Sequence, residues 1–223
     1  MLEFPYSEID FNQATNQVVT TALGLIELYQ LHSTVAAAAS PHHSNLRSTS
    51  AQSSPPSIPK PELNQTSGKE GPPLLMALET EPVNITPLLY GLDLRFRDDL
   101  DPTTWGFTMS LGQKNIVAIN TTLTPEQTRY TLAHEVMHLA QAHPNQLGLA
   151  CQSGRGEYNR LELEALIGAA YLLIPQPLAV WLASLASPLG ARDARAIQEV
   201  AKRLIAPIDL LLVRRKLYLR TGF

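Results

Sequence analysis

His134 and His138 stand four residues apart around Glu135 in the string His134-Glu135-Val136-Met137-His138. On a helix that spacing projects both imidazoles the same way, so they can hold one zinc ion while Glu135 stands beside it as a proton acceptor. The chemistry such a group performs is metal-assisted hydrolysis. A pentapeptide alone is a weak signal, and the elements that must position it decide its weight.

Thr124-Pro125-Glu126-Gln127 offers an N-cap threonine, a proline at the first helical position and a capping-box glutamine, and Pro144 follows His143. The motif is therefore expected inside one helix. Tyr130, Ala133, Met137 and Ala140 line one side of it and Leu132, Val136 and Leu139 another, the pattern of a helix buried nearly all round. Three ionisable groups in such a place are costly unless paired or metal-bound, and zinc supplies one shared reason for them. The plainer alternative is a solvent-facing His/Glu patch without metal.

With 223 residues, 44% of them hydrophobic, the chain can bury a full core as one domain with appendages. Its 17 basic and 20 acidic residues point to no polyanionic partner. A lone cysteine, Cys151, excludes an internal disulfide framework, and Met1-Leu2-Glu3-Phe4-Pro5 lacks the basic and apolar regions of a signal peptide. Both fit a cytoplasmic protein. Ala165 to Ala191 carries no charge and is long enough for a span, but Pro175-Gln176-Pro177 divides it. Two short buried helices are expected there, and no membrane insertion.

Three parts follow along the chain. Residues 1–39 hold an amphipathic helix from Asn12 to about Ala39, with Val18, Val19, Ala22, Leu25, Ile26 and Tyr29 at helical spacing, expected to pack on the core. Residues 40–75 form a Ser/Pro-rich stretch too polar to offset the entropy of ordering, hence a disordered linker, in which His42 and His43 are ordinary. Residues 76–223 are the catalytic part. There Leu92, Leu94 and Phe96 alternate with charged residues, Phe107, Met109 and Leu111 alternate with Thr108 and Ser110, and Gly112-Gln113-Lys114 turns into a third strand, Asn115 to Asn120. Helices are expected over Arg160 to Ile174 and near Leu178 to Leu185, Asp193 to Leu204 and Pro207 to Tyr218. The fold class is α+β, a small antiparallel sheet packed with helices and ending in a helical C-terminal part.

Two histidines leave a catalytic zinc site one protein ligand short, and a carboxylate is needed. Glu157, Glu162 and Glu164 follow the motif. The last two point about 200° apart on their helix, so one of them reaches the metal. Glu162 shares a face with Ala165 and Ala169, small residues that allow close approach, whereas Glu164 sits with Ile167, Gly168 and Tyr171. Geometry favours Glu162 only slightly. Tyr130, Tyr158 and His143 are the polar residues near the motif that could stabilise an oxyanion, and each has an equally good structural explanation.

The blocks Thr131-Leu132-Ala133-His134-Glu135-Val136-Met137-His138, Glu162-Leu163-Glu164-Ala165 and Ala169-Ala170-Tyr171-Leu172-Leu173-Ile174-Pro175 resemble the ImmA/IrrE metallopeptidases. That family's pattern is HExxH, a Glu three residues before an Ala-Asn pair, then an apolar run ending in Leu-Leu-Met-Pro. The resemblance runs from about Pro82 to Tyr218, with Leu166 where the family usually has Asn and Gly168 where it has Phe. It implies a zincin-like motif helix, zinc held by His134, His138 and Glu162, and Glu135 as the catalytic base. It further implies a cytoplasmic zinc endopeptidase that cuts a helix-turn-helix transcriptional repressor, in stress response or mobile-element control. An extended substrate needs a strand edge, for which Ile116 to Asn120, leading into the motif helix, is the candidate.

The rival reading is a non-cleaving regulatory or DNA-binding protein. Ile197 to Tyr218 carries two short helices around Ala206-Pro207, with Arg203, Arg214, Arg215, Lys216 and Arg220 as phosphate contacts. A helical pair packed on the core with its basic residues outward fits the net acidity better, so direct nucleic-acid binding is not expected.

Overall fold

Lys114–Asn120 is the most buried of the three strand segments, and it takes the centre of the sheet. In the computed structural model, which describes residues 8–29, 77, 79–143 and 160–223, β1 (Leu92–Arg97), β2 (Gly106–Leu111) and β3 (Lys114–Asn120) lie in the order β1-β3-β2. The expected linker 40–75, Cys151, Glu157 and Tyr158 lie outside the described residues, as does the expected first helix beyond Tyr29. All described residues belong to one compact unit.

The α+β class holds, with one correction to the sheet. β2 and β3 form the expected antiparallel hairpin over Gly112-Gln113, where Gly112 takes φ +62°, a conformation a side chain would strain. β1, however, joins β3 in parallel, Leu94 opposite Val117 and Phe96 opposite Ile119, so the sheet is mixed. Period-two alternation shows which side chains share a face but not which way a neighbour runs. β3 takes the central place: it is buried from Ile116 to Asn120 and has a partner strand along each edge.

Register also sorts the faces. Val117 and Ile119 lie under the helices with Leu94 on one side and Thr108 and Gly106 on the other. Phe107 and Met109 of β2 therefore point to the opposite face, beside Ala118 and Ile116, where they are half-buried. The apolar set of β2 does not face the helices; its small residues do. A side chain at Gly106 would stand 2.7 Å from Thr131 Cγ2, so this glycine lets the motif helix settle on the sheet.

Six helices are described: α1 (Glu8–Tyr29), α2 (Pro125–Ala140), α3 (Arg160–Leu173), α4 (Gln176–Ser184), α5 (Ala191–Leu204) and α6 (Ile208–Thr221). The motif helix α2 starts where expected, with Gln127 N–H donating to Thr124 Oγ1 (3.3 Å) and Thr124 N–H to Gln127 Oε1 (2.9 Å). It packs on β2, β3 and α3, and every residue from Thr131 to His138 is buried. α1 lies on α3, with Val18 and Ala22 fully buried.

No single described helix is long and apolar enough to cross a membrane. α3 and α4 pass by composition only as a pair, and they bend by 99° at Pro175. α4 and α3 both pack against α6, whose Arg214 is the largest fully buried side chain. At Arg214 this departs from the expectation of outward basic residues, whereas Arg203 and Arg220 are exposed as expected. The Arg214 guanidinium lies 3.9 Å over the Tyr171 ring and donates to the carbonyls of Ile174 (3.3 Å) and Phe223 (2.6 Å) and to Gln176 Oε1 (2.9 Å). Burial lowers its pKa to about 10. Arg215 donates to the carbonyls of Leu182 (2.8 Å) and Leu185 (3.0 Å) at the end of α4, and Arg203 pairs with Glu81 at 2.6 Å. A buried fork with several acceptors serves the hydrogen-bond needs of a helix junction, and an alternating polar pattern cannot reveal that from sequence.

Gly168 is the close contact between α3 and the motif helix, since an added Cβ there would sit 2.6 Å from Met137 Cγ and 2.8 Å from Met137 Sδ. Gly168→Ala should therefore cost about 1–3 kcal/mol by overpacking, measured by chemical denaturation. The double variant Gly168→Ala/Met137→Ala should cost less than the sum of the two single changes, because the second removes the obstacle. Strict additivity would show that the contact is not the constraint.

Candidate metal centre

Helical spacing aims His134 and His138 off the same side of α2, and packing of α3 brings one carboxylate to them. His134 Nε2 lies 3.1 Å from His138 Nε2 and 3.1 Å from Glu162 Oε2, and His138 Nε2 lies 3.6 Å from Glu162 Oε1. One donor atom from each of the three falls within 4.8 Å of the others. Four ligands on a tetrahedron with zinc bonds of about 2.0–2.1 Å sit roughly 3.3–3.4 Å apart, so these separations suit one shared ion. Both histidines are buried and Glu162 nearly so.

The second nitrogen of each ring is also engaged. His134 Nδ1 is 3.3 Å from the Tyr130 hydroxyl, and the Tyr130 ring meets Trp105 edge to face at 6.0 Å. His138 Nδ1 is 2.9 Å from His143 Nδ1, whose Nε2 is 3.0 Å from Glu164 Oε2. With a proton on each ligand's Nδ1, both Nε2 lone pairs point at the same place as the Glu162 carboxylate. Three acceptors meeting in a buried pocket call for a cation. A His, His, Glu set with a fourth direction left open is a donor set for catalytic zinc.

Burial alone would raise the Glu162 carboxyl, but in the absence of an ion the adjacent His134 and His138 rings, which can then donate to it, outweigh burial and hold the group well below the usual carboxylate range. For His143 burial prevails over the pull of Glu164, and its imidazole is pushed below its ordinary value. Glu135, 1% exposed, follows His134 directly on the buried stretch of α2.

Of the two glutamates on α3, then, Glu162 stands at the histidines' Nε2 atoms, and Glu164 is turned to His143 and to Arg160 Nε at 2.7 Å. Tyr130 and His143 bond the ring nitrogens that face away from the cluster. Both therefore stand behind the rings of His134 and His138, in keeping with the structural explanation that the sequence left open beside an oxyanion role. Cys151 and Tyr158 are outside the described residues. Asn120 was read only as a strand end, yet its buried amide donates to the carbonyls of Asp101 (3.2 Å) and Thr104 (2.9 Å) and accepts from Thr122 N–H (3.0 Å) and hydroxyl (2.8 Å). It pins the loop that brings Trp105 to Tyr130. An asparagine after an apolar strand and before a capped helix was the available signal.

Residues 89–180 match the family model described as the IrrE N-terminal-like domain, Peptidase M78. The radiation response metalloprotease IrrE of Deinococcus radiodurans is 33% identical over 117 residues, which is 51% of this chain and 33% of that protein. The radiation response metalloprotease IrrE of Deinococcus deserti is 33% identical over 150 residues, 59% of this chain and 51% of that protein. The chain thus spans between a third and about half of the length of these curated relatives. The resemblance read from the motif blocks is borne out, and the matched stretch contains the whole His134, His138 and Glu162 cluster.

The purified chain should hold about one zinc per molecule, as an open three-ligand site does. Glu162→Ala should release most of it while leaving the circular dichroism unchanged, because two histidines alone make a poor site. Full retention of zinc in the folded variant would place the third ligand elsewhere.

Proposed function

Since residues 89–180 match the IrrE N-terminal-like domain, we propose that this chain is a zinc-dependent endopeptidase in which His134, His138 and Glu162 hold the metal and Glu135 is the general base. The observation that carries this reading is the convergence of two buried histidines and a largely buried carboxylate at separations that suit one ion. Bound there, zinc supplies Lewis acidity, polarising the scissile carbonyl and making the attacking water more acidic.

The remaining steps belong to the protein. Glu135 takes the proton from the attacking water as the carbon–oxygen bond forms, then delivers it to the departing nitrogen as the carbon–nitrogen bond breaks. A carboxylate on the same helical turn as the ligands needs no large movement to do both. Desolvation of the surrounding stretch, Thr131 to His138, strengthens each of these interactions relative to water.

The strand edge proposed for substrate must move. Ile116 to Asn120 lies in the central strand, paired to β1 and β2, so it offers no open edge. β2 takes its place: among the described residues it is paired only with β3, and it begins beside Trp105, which packs on Tyr130 next to His134. An extended segment added to β2 would run towards the cluster, its main chain held by backbone hydrogen bonds. Such a mode selects an exposed, unfolded stretch of a protein. Together with the family resemblance, this supports a helix-turn-helix transcriptional repressor as the partner, cut between its domains in a stress or mobile-element response within the cytoplasm.

Incubating wild type and Glu135→Gln with candidate repressors and reading the fragments by mass spectrometry tests this. Glu135→Gln should keep its zinc and lose turnover by about 10²-fold or more, as expected for loss of a general base. Fragments should appear at one or a few positions with wild type only. Equal cleavage by both proteins would rule out the proposed mechanism.

A further inference from the structure

We propose that His143 and Glu164 form a positioning relay that fixes the proton of His138 on Nδ1 and so keeps its Nε2 open for the metal. This rests on the reading of His134, His138 and Glu162 as the metal ligands. It adds a role for two side chains that stand behind the His138 ring, at the nitrogen turned away from Glu162.

Proton bookkeeping follows from the distances. Glu164, paired with Arg160 at 2.7 Å, is an acceptor, so the 3.0 Å contact from His143 Nε2 needs a proton on that nitrogen. The neutral His143 ring then has a lone pair on Nδ1, which lies 2.9 Å from His138 Nδ1. The hydrogen between those two nitrogens must therefore sit on His138 Nδ1. Its Nε2 is left with a lone pair, 3.1 Å from His134 Nε2 and 3.6 Å from Glu162 Oε1. The opposite placement would put the proton on His138 Nε2 and close that position to a metal ion.

The backbone is shaped to make the contact. After α2 the chain turns back through Ala142 at φ +53°, with Ala142 N–H donating to the Leu139 carbonyl and His143 N–H to the His138 carbonyl, both at 3.0 Å. A left-handed conformation is unfavourable for a residue with a Cβ. It is this turn that folds the His143 ring back onto His138, their centroids 5.0 Å apart. Glu164 then arrives from α3, the helix that also brings Glu162, two residues earlier, to the other side of the same histidine. One helix thus supplies both the carboxylate at the metal position and the carboxylate behind the ligand ring.

The test is zinc affinity of the full chain, measured by competition with a chromophoric chelator. His143→Leu removes the acceptor and should weaken binding by about 10- to 100-fold, the range seen when a partner of a ligating histidine is lost. His143→Gln keeps an acceptor for His138 and a donor for Glu164, and should stay within about threefold of wild type. A residue needed only for packing would not be rescued by so different a shape. Should His143→Leu fail to fold, the isosteric Glu164→Gln removes the charge at the far end of the relay and should weaken zinc binding severalfold. Cobalt-loaded His143→Leu should also show an altered visible spectrum, reporting a displaced ligand. Wild-type affinity in folded His143→Leu or in Glu164→Gln would overturn the relay, while absence of zinc binding in wild type would overturn the metal centre itself.

Discussion

Three acceptor groups directed at one buried point are the constraint around which this structure is arranged. The imidazole nitrogens of His134 and His138 and the Glu162 carboxylate stand within hydrogen-bonding reach of one another, and with the ligand rings protonated on their far nitrogens none can donate inward. Lone pairs converging at one buried point are unfavourable by themselves. A divalent cation reverses the sign of that arrangement. The surrounding features then become intelligible as ways of holding three side chains at fixed separations.

Most of that holding is done by two helices and two missing side chains. Gly168 lets α3 approach Met137 on α2, and Gly106 lets α2 lie against the sheet at Thr131. Close approach is what allows Glu162, a side chain of modest reach, to meet histidines on another helix. Behind the ligands stand Tyr130, steadied by Trp105, and His143, steadied by Glu164. Each ligand ring is thus held from its back, and Asn120 fixes the loop that carries Trp105.

What could be read from the residues followed from short-range rules. The α2 boundaries were legible because Thr124, Pro125 and Gln127 form a capping box, a device confined to four residues. The His134 and His138 pair was legible because helical geometry is fixed. By contrast, the direction in which β1 runs beside β3 is set by tertiary structure, and alternation within β1 does not contain it. The inward face of β2, made by Gly106 and Thr108 with Phe107 and Met109 turned away, is not legible in its alternation, because hydrophobicity points to the other face. The separation of Glu162 from Glu164 needed the helix packing angle as well as the 200° between them. Arg214 deceived for the same reason: its carbonyl partners on Ile174 and Phe223 are set by tertiary structure alone.

The account stands or falls on where the metal sits and what holds it. Anomalous diffraction from crystals of the zinc-loaded chain, collected on both sides of the zinc absorption edge, measures that directly. The prediction is one peak between α2 and α3, with His134 Nε2, His138 Nε2 and a Glu162 oxygen at about 2.0–2.2 Å and the fourth position open to solvent or substrate. A peak at any other residues, or zinc at this place without Glu162 among its ligands, would contradict it.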